Sequence, residues 1–256
     1  MIRAGLVSIT FRKRSPSDIV ALVVRAGHHA IEWGGDLHVP HGDLEQAFDV
    51  KNMTQDAGLT CAAYGSYYRI GHSEKDDFHF EAVRDTACAL GATAIRVWAG
   101  NKPLRDVDDA YRASIVDEAR RIADLAAEVS LPVVFEYHAG TLTETDASAQ
   151  QFLEEVNHPN VRTLWQPPNG VDPRINLAGL RAVLPHVFYM HVFHWWPTAR
   201  ERHPLADGKD AWLPYLRALH ATGRDSLAMI EYVQNDDPEN YLRDAATLNA
   251  WLDHVS

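Results

Sequence analysis

The 256-residue sequence has only two cysteines, Cys61 and Cys88, and neither belongs to a Cys-x-x-Cys pair. That excludes a disulfide framework and a thiolate-rich structural zinc cage. No apolar run approaches the length of a membrane span. The opening stretch "MIRAGLVSITFRKRS" puts its short apolar run before its charges, the reverse of a secretory signal, so a cytoplasmic setting is expected. Basic residues are outnumbered, with 24 Lys and Arg against 35 Asp and Glu, for a formal net charge of −11. A chain of that sign repels phosphate backbones, so no nucleic-acid or membrane partner is expected. Only the loop "TARERHPL" hints at a basic groove. No Gly-x-Gly-x-x-Gly follows the first apolar run, which argues against a dinucleotide crevice. No linker, charge block or low-complexity segment divides the chain.

What is present has a rhythm. Short β-branched or apolar runs alternate with longer amphipathic stretches. Strands are expected near residues 2–8, 29–35, 59–65, 93–100, 132–138, 161–166, 187–193 and 226–233. Helices are expected between and after them, the first opened by Ser15-Pro16 and closed by Gly27, the longest over 108–129. Parallel strands need crossover connections, and helices are the usual ones. Eight such units in about 250 residues match a closed α/β barrel, (β/α)8, with residues 1–256 as a single domain. Its chemistry is expected at the C-terminal ends of the strands.

Those ends carry the informative residues. The stretch "LPVVFEYHAGTLTET" delivers Glu136 at the end of an apolar run, and the next three strands end in Gln166, His191 and Glu231. Four polar groups at comparable depth are costly to bury without a cation. Two carboxylates, an amide oxygen and an imidazole suit Mn²⁺, Mg²⁺, Co²⁺ or Zn²⁺.

At this point the chain resembles a known family, the xylose-isomerase-like TIM barrels, and within it the sugar phosphate isomerase/epimerase group. The likeness runs along essentially the whole length. It rests on "IEWGGDLHVPHGD" (31–43), "IRVWAG" (95–100), "FEYHAGTLTET" (135–145), "YMHVFHW" (189–195) and "IEYV" (230–233). The resemblance implies a metal held by Glu, Asp, His and Glu from the last four strands, matching Glu136, His191 and Glu231. Gln166 stands at the Asp position, and Asn169 where members often carry a His. A Gln ligand brings no charge, so weaker metal binding and a more acidic bound water are expected.

The resemblance further implies an isomerase or epimerase of a sugar or related hydroxy-ketone. It would work through a metal-stabilised enediolate, with Glu136 and Glu231 as the acid/base pair. A dehydratase of a keto-inositol or dehydroshikimate-like compound is the alternative, because the same site can expel a β-hydroxyl. A non-catalytic metal-binding barrel and an apurinic endonuclease are more distant readings. Small-molecule sugars or polyols are the expected substrates, and a homo-oligomer is compatible with the family.

Further residues divide between contact and structure. His138 shares the inward strand face with Glu136 and reads as a substrate contact or a partner of a ligand. His194 and Asn169 follow strand ends and are expected to meet substrate or shape loops. Glu32 reads as a substrate-hydroxyl contact or as a buried salt bridge to a residue such as Arg96. Tyr67 and Trp98 offer aromatic walls. Arg200, with Lys102 and Arg202, lies on loops that can meet an anionic group.

Overall fold

Each apolar run forms a strand, and each amphipathic stretch forms the helix after it, in a computed structural model that describes residues 1–256. The strands are β1 (Ile2–Val7), β2 (Ala30–Gly34), β3 (Thr60–Arg69), β4 (Ile95–Trp98), β5 (Val133–Glu136), β6 (Val161–Trp165), β7 (Val187–Val192) and β8 (Ser226–Ile230). The helices are α1 (Pro16–Arg25), α2 (Leu44–Asp56), α3 (Phe80–Leu90), α4 (Asp109–Ala127), α5 (Asp146–Val156), α6 (Pro173–Val183), α7 (Lys209–His220) and α8 (Pro238–Val255). Every strand pairs in parallel with its neighbours in sequence, and β8 returns to β1. Closure leaves no unpaired edge. The (β/α)8 barrel expected from the sequence is the architecture observed.

Local chemistry starts the helices where the sequence pattern puts them. Ser15 caps α1 by accepting from the Asp18 amide at 3.2 Å, with Pro16 at the first helical position. Thr145 and Ser148 form a reciprocal capping box that starts α5 directly beyond β5. Asp237 accepts from the Glu239 and Asn240 amides to open α8. These caps fix where each βα loop ends, and so how far the loops reach over the barrel mouth.

The period-two alternation of strands sorts the side chains into two sets. One set, including Ile31, Ile95, Phe135 and Trp165, packs outward against the helices in a large buried core. The other fills the barrel, where Ala30, Ala63, Ala94, Val134, Leu164, Tyr189 and Met229 form an apolar layer. Two residues further along their strands, Glu32, Arg96, Glu136, Gln166, His191 and Glu231 form a polar layer above it. The alanines below leave room for a charged layer that a bulkier barrel would close off.

One element departs from expectation. β3 was expected to end near residue 65 and instead runs to Arg69, with a register shift between Gly65 and Arg69 against β4. Gly65 explains the irregularity. A Cβ there would lie 2.5 Å from Arg96 Nη2 and 2.8 Å from Glu32 Oε1, so only glycine lets this strand pass the polar layer. Tyr67 then adopts φ 59°, a left-handed conformation that turns its ring over the barrel mouth.

Candidate active site

Glu136 is the last residue of β5, Gln166 follows β6, His191 lies one residue from the end of β7, and Glu231 follows β8. One ligand atom from each of Glu136, His191 and Glu231 lies within 4.8 Å of the others, and all three residues are buried. The ends of β5, β7 and β8 thus converge at one end of the barrel. Gln166 joins them through its amide, Nε2 donating to Glu136 Oε1 at 3.3 Å and to the Tyr137 carbonyl at 2.6 Å.

A second group of charges interlocks with the first. Arg96 donates Nε to Glu32 Oε1 at 2.6 Å and Nη1 to Glu136 Oε2. Trp98 Nε1 also donates to Glu136 Oε2. The other Glu32 oxygen takes the Tyr189 hydroxyl at 2.7 Å and faces His191 Nε2 at 2.9 Å. His191 Nδ1 lies 3.4 Å from Glu231 Oε2. Burial opposes ionisation of Glu32, yet Arg96 and then His191 overcome it and hold the carboxyl at about 2. The same competition lowers Glu136, where burial is outweighed by Arg96, His191 and His138. Burial disfavours charge on His191 too, but Glu231 and Glu32 on either side raise it to about 10, so a cation would bind Nδ1 in place of the proton that Glu231 favours there. The Arg96 guanidinium stays charged despite burial, because Glu136 and Glu32 flank it.

Two ligand-type atoms at these strand ends are left without a partner. Gln166 Oε1 and His191 Nδ1 are both buried and neither makes a hydrogen bond. Buried polar atoms rarely stay unpaired. Both are ligand atoms by chemistry; His191 Nδ1 lies 3.4 Å from Glu231 Oε2, and Gln166 contacts Glu136 through its amide nitrogen. Two carboxylates, an amide oxygen and an imidazole nitrogen thus fit a borderline-to-hard divalent ion.

Above these atoms lies a cavity of about 310 Å³, lined by Glu136, His138, Gln166, Glu231, Tyr67, Arg96, Trp98, Arg12, Arg202, Trp195 and Tyr232, among others. That volume is at the small end for ligand sites, about 300–1,000 Å³. His138 reaches it with one ring face on Trp98, centroids 4.3 Å apart. Its Nδ1–H donates to the Ala139 carbonyl at 2.7 Å, since a carbonyl can only accept, which leaves Nε2 as the free ring nitrogen. Tyr67 covers Arg96, whose guanidinium carbon is 5.2 Å from the ring centroid.

Other expected contacts lie elsewhere. Glu32 is 0% exposed, has both oxygens engaged and is absent from the cavity lining, so the buried ion pair is observed and the substrate-hydroxyl contact is not. Asn169 and His194 line a separate, smaller cavity of about 70 Å³ behind Trp195. They leave the main cavity because each follows its strand end, where alternation no longer sets direction. Arg200 is exposed and outside the lining, whereas its neighbour Arg202 lines the cavity and sits 4.4 Å over the Tyr232 ring. Arg12 and Tyr232 were not anticipated. Arg12 sits in "FRKRS" after the first strand, where the basic run was the one available signal.

A family model described as a xylose isomerase-like TIM barrel matches residues 20–253. A curated 3-dehydroshikimate dehydratase from Bacillus anthracis is 29% identical over 213 residues, covering 75% of each chain. The crystal structure of a probable 3-DHS dehydratase from Bacillus anthracis aligns with a TM-score of 0.78 at 23% identity, over 97% of this chain and 99% of that one. A D-psicose 3-epimerase from Clostridium cellulolyticum H10, solved with D-tagatose, aligns with a TM-score of 0.75 at 15% identity, over 99% of each chain.

Proposed function

Because the chain belongs to the xylose isomerase-like TIM-barrel family, we propose that it is a divalent-metal-dependent dehydratase. Its substrate is a cyclic hydroxy-ketone that carries a carboxylate, of the 3-dehydroshikimate kind. The observation that carries this reading is a single cavity holding two kinds of group. Its floor gathers Glu136, Gln166 and Glu231, with His191 buried against the two glutamates, and its rim carries Arg12 and Arg202. The floor suits a cation and the rim suits an anion. The curated dehydratase relative points the same way.

Glu136, Gln166, His191 and Glu231 would hold the metal. When bound, it supplies Lewis acidity toward a ketone and its neighbouring hydroxyl oxygen. The remaining work falls to the protein. Glu136 Oε2 already accepts from Arg96 and Trp98, so this carboxylate is held in place and is a poor acceptor of a further proton. Glu231 has no donor closer than His191 Nδ1 at 3.4 Å, and it takes the proton from the carbon beside the ketone. In its imidazolium form His138, with Nδ1–H held by the Ala139 carbonyl, passes its Nε2 proton to the hydroxyl on the next carbon and is left neutral. The C–H and C–O bonds break, a C=C bond forms, and the hydroxyl departs as water. Arg12 and Arg202 orient the ring through its carboxylate, and Trp98, Trp195 and Tyr232 wall its apolar face.

The isomerase or epimerase reading needs the same floor but returns the proton instead of expelling the hydroxyl. Arg12 pairs with Asp36 and Arg202 with Asp236, and a substrate carboxylate could share their remaining N–H groups, a use that a neutral sugar does not have, which favours the dehydratase. The deciding experiment incubates Mn²⁺-loaded protein with 3-dehydroshikimate and, separately, with free ketohexoses in D₂O. Growth of an aromatic absorbance with the acid supports the dehydratase. Deuterium uptake into a ketose without water loss, and no reaction with the acid, would replace it by the epimerase.

A further inference from the structure

Glu32 engages three side chains, as many as Glu136 does, yet it belongs to neither the cavity nor the ligand set. It projects from β2, on the far side of the barrel from β5 and β6. Its Oε1 holds Arg96 Nε at 2.6 Å, and its Oε2 holds both the Tyr189 hydroxyl at 2.7 Å and His191 Nε2 at 2.9 Å. Through Arg96 it reaches Glu136, and through His191 it reaches Glu231. No water can replace these contacts, because Glu32 is wholly buried.

The two ends of this network bear on opposite sides of the ligand cluster. An imidazole whose Nε2 faces a carboxylate donates its proton there, and its Nδ1 is then the nitrogen left for another partner. In His191 that Nδ1 is the atom that points at the cluster and makes no hydrogen bond. On the other side, Arg96 engages Oε2 of Glu136, which leaves Oε1 as the oxygen beside Gln166. One carboxylate on β2 therefore sets which nitrogen of His191 and which oxygen of Glu136 turn toward the same point. Gly65 belongs to this arrangement, since a side chain there would occupy the space of Arg96 Nη2 and Glu32 Oε1.

We infer that Glu32 is a positioning residue for divalent-cation binding, orienting His191 directly and Glu136 through Arg96 so that their free ligand atoms converge. The inference rests on the metal-site part of the proposed function and is independent of the substrate. Tyr189 completes the device by occupying the remaining acceptor capacity of Oε2, which keeps the carboxylate from rotating away from His191.

The test is a Mn²⁺ titration of the full chain followed by electron paramagnetic resonance, with circular dichroism and thermal melting as checks on folding. Wild type should bind one Mn²⁺. Glu32→Gln should bind it about 10–100-fold more weakly, the usual effect of removing the partner of a ligating histidine. Tyr189→Phe should show a smaller loss in the same direction. Nitrogen-15 labelling of the histidines in the Mg²⁺-loaded protein supplies a readout that a purely structural role would not move. His191 should carry its proton on Nε2 in wild type and show a mixture of tautomers in Glu32→Gln. Should Glu32→Gln fail to fold, the charge-balanced pair Glu32→Gln with Arg96→Met takes its place and should fold while still binding Mn²⁺ weakly. Wild-type affinity and tautomer in a folded Glu32 variant would overturn the inference alone. Absence of Mn²⁺ binding by wild type would overturn the inference and the metal-site reading together.

Discussion

Arg96 bridges Glu32 and Glu136 inside the barrel, with Nε on the first carboxylate and Nη1 on the second. The three side chains are 2%, 0% and 4% exposed, so two carboxylates that water cannot reach share one guanidinium, with His191 as the second positive partner. Removing Arg96 leaves both acids buried with His191 as their main counter-charge. Arg96→Met should therefore destabilise the metal-free protein by about 3–5 kcal/mol. Urea unfolding monitored by tryptophan fluorescence would measure the loss, and a change below about 1 kcal/mol would mean the pair is not what holds the polar layer together.

Glu231 has no strong hydrogen-bond donor and stands at the cavity floor, which makes it the proton acceptor in the proposed reaction. Glu231→Gln keeps the shape and removes the base. Turnover of the substrate that wild type accepts should fall by about 10²–10⁴-fold, with the melting temperature little changed. Because Glu231 is also a metal-ligand candidate, the measurement needs saturating Mn²⁺. Full activity in this variant would move the proton transfer elsewhere.

Gln166 brings an oxygen but no charge to the candidate cation site. Its amide nitrogen donates to the Tyr137 carbonyl at 2.6 Å and to Glu136 Oε1 at 3.3 Å. Gln166→Asp adds a negative charge at the price of those hydrogen bonds. The Coulombic gain between a divalent ion and a near-buried carboxylate is the larger of the two effects, so Mn²⁺ affinity should rise. Isothermal titration calorimetry decides, and equal or weaker binding would show that the amide is tuned for orientation.

Arg202 reaches the cavity from the loop after β7, paired with Asp236 at 2.5 Å. Arg202→Ala should raise KM for a carboxylate-bearing substrate more than it lowers kcat, because the loss falls on binding shared by ground and transition states. Added salt should weaken the wild-type interaction and have less effect on the variant. A fall in kcat at unchanged KM would instead place this arginine in the chemical step.

A histidine far from the site governs one pH response. His28 is buried, with Nδ1 and the Tyr241 hydroxyl 2.9 Å apart, and burial lowers its pKa from 6.5 to about 4. Between those values the unfolded chain binds more protons than the folded one, so stability rises with pH. The contribution is complete above about 6.5, falls as pH drops, and levels off below about 4. The difference corresponds to roughly 3 kcal/mol at 1.36 kcal/mol per pKa unit. His28→Gln should flatten that part of the curve, as read from urea midpoints at pH 4 to 7 in the presence of a chelator. A parallel acid limb in both proteins would show that His28 does not cause it.

The barrel and its three convergent ligand candidates were legible because period and position carry them. Glu136, His191 and Glu231 each sit where an inward-pointing strand position meets the end of an apolar run. The hub around Arg96 was harder to read, since its partners lie 64 residues before it and 40 after it. Nothing local distinguishes Glu32 as a buried ion-pair partner from Glu32 as a ligand contact; only the closure of the barrel brings β2 opposite β7. Asn169 and His194 line the second chamber for the converse reason. Beyond a strand end the chain is free of the two-residue repeat, and loop geometry decides which chamber a side chain enters.

Trp195 belongs to both chambers, lining the main cavity and the smaller one behind it while its ring stacks on Phe193 at 3.7 Å. Trp195 is the one residue common to the two linings, and it is mounted on the loop after β7, outside the eight strands. The upper size of an acceptable guest is therefore adjustable at one codon, without altering the strand ends that carry the reactive groups. A barrel built this way can widen its diet while keeping its chemistry.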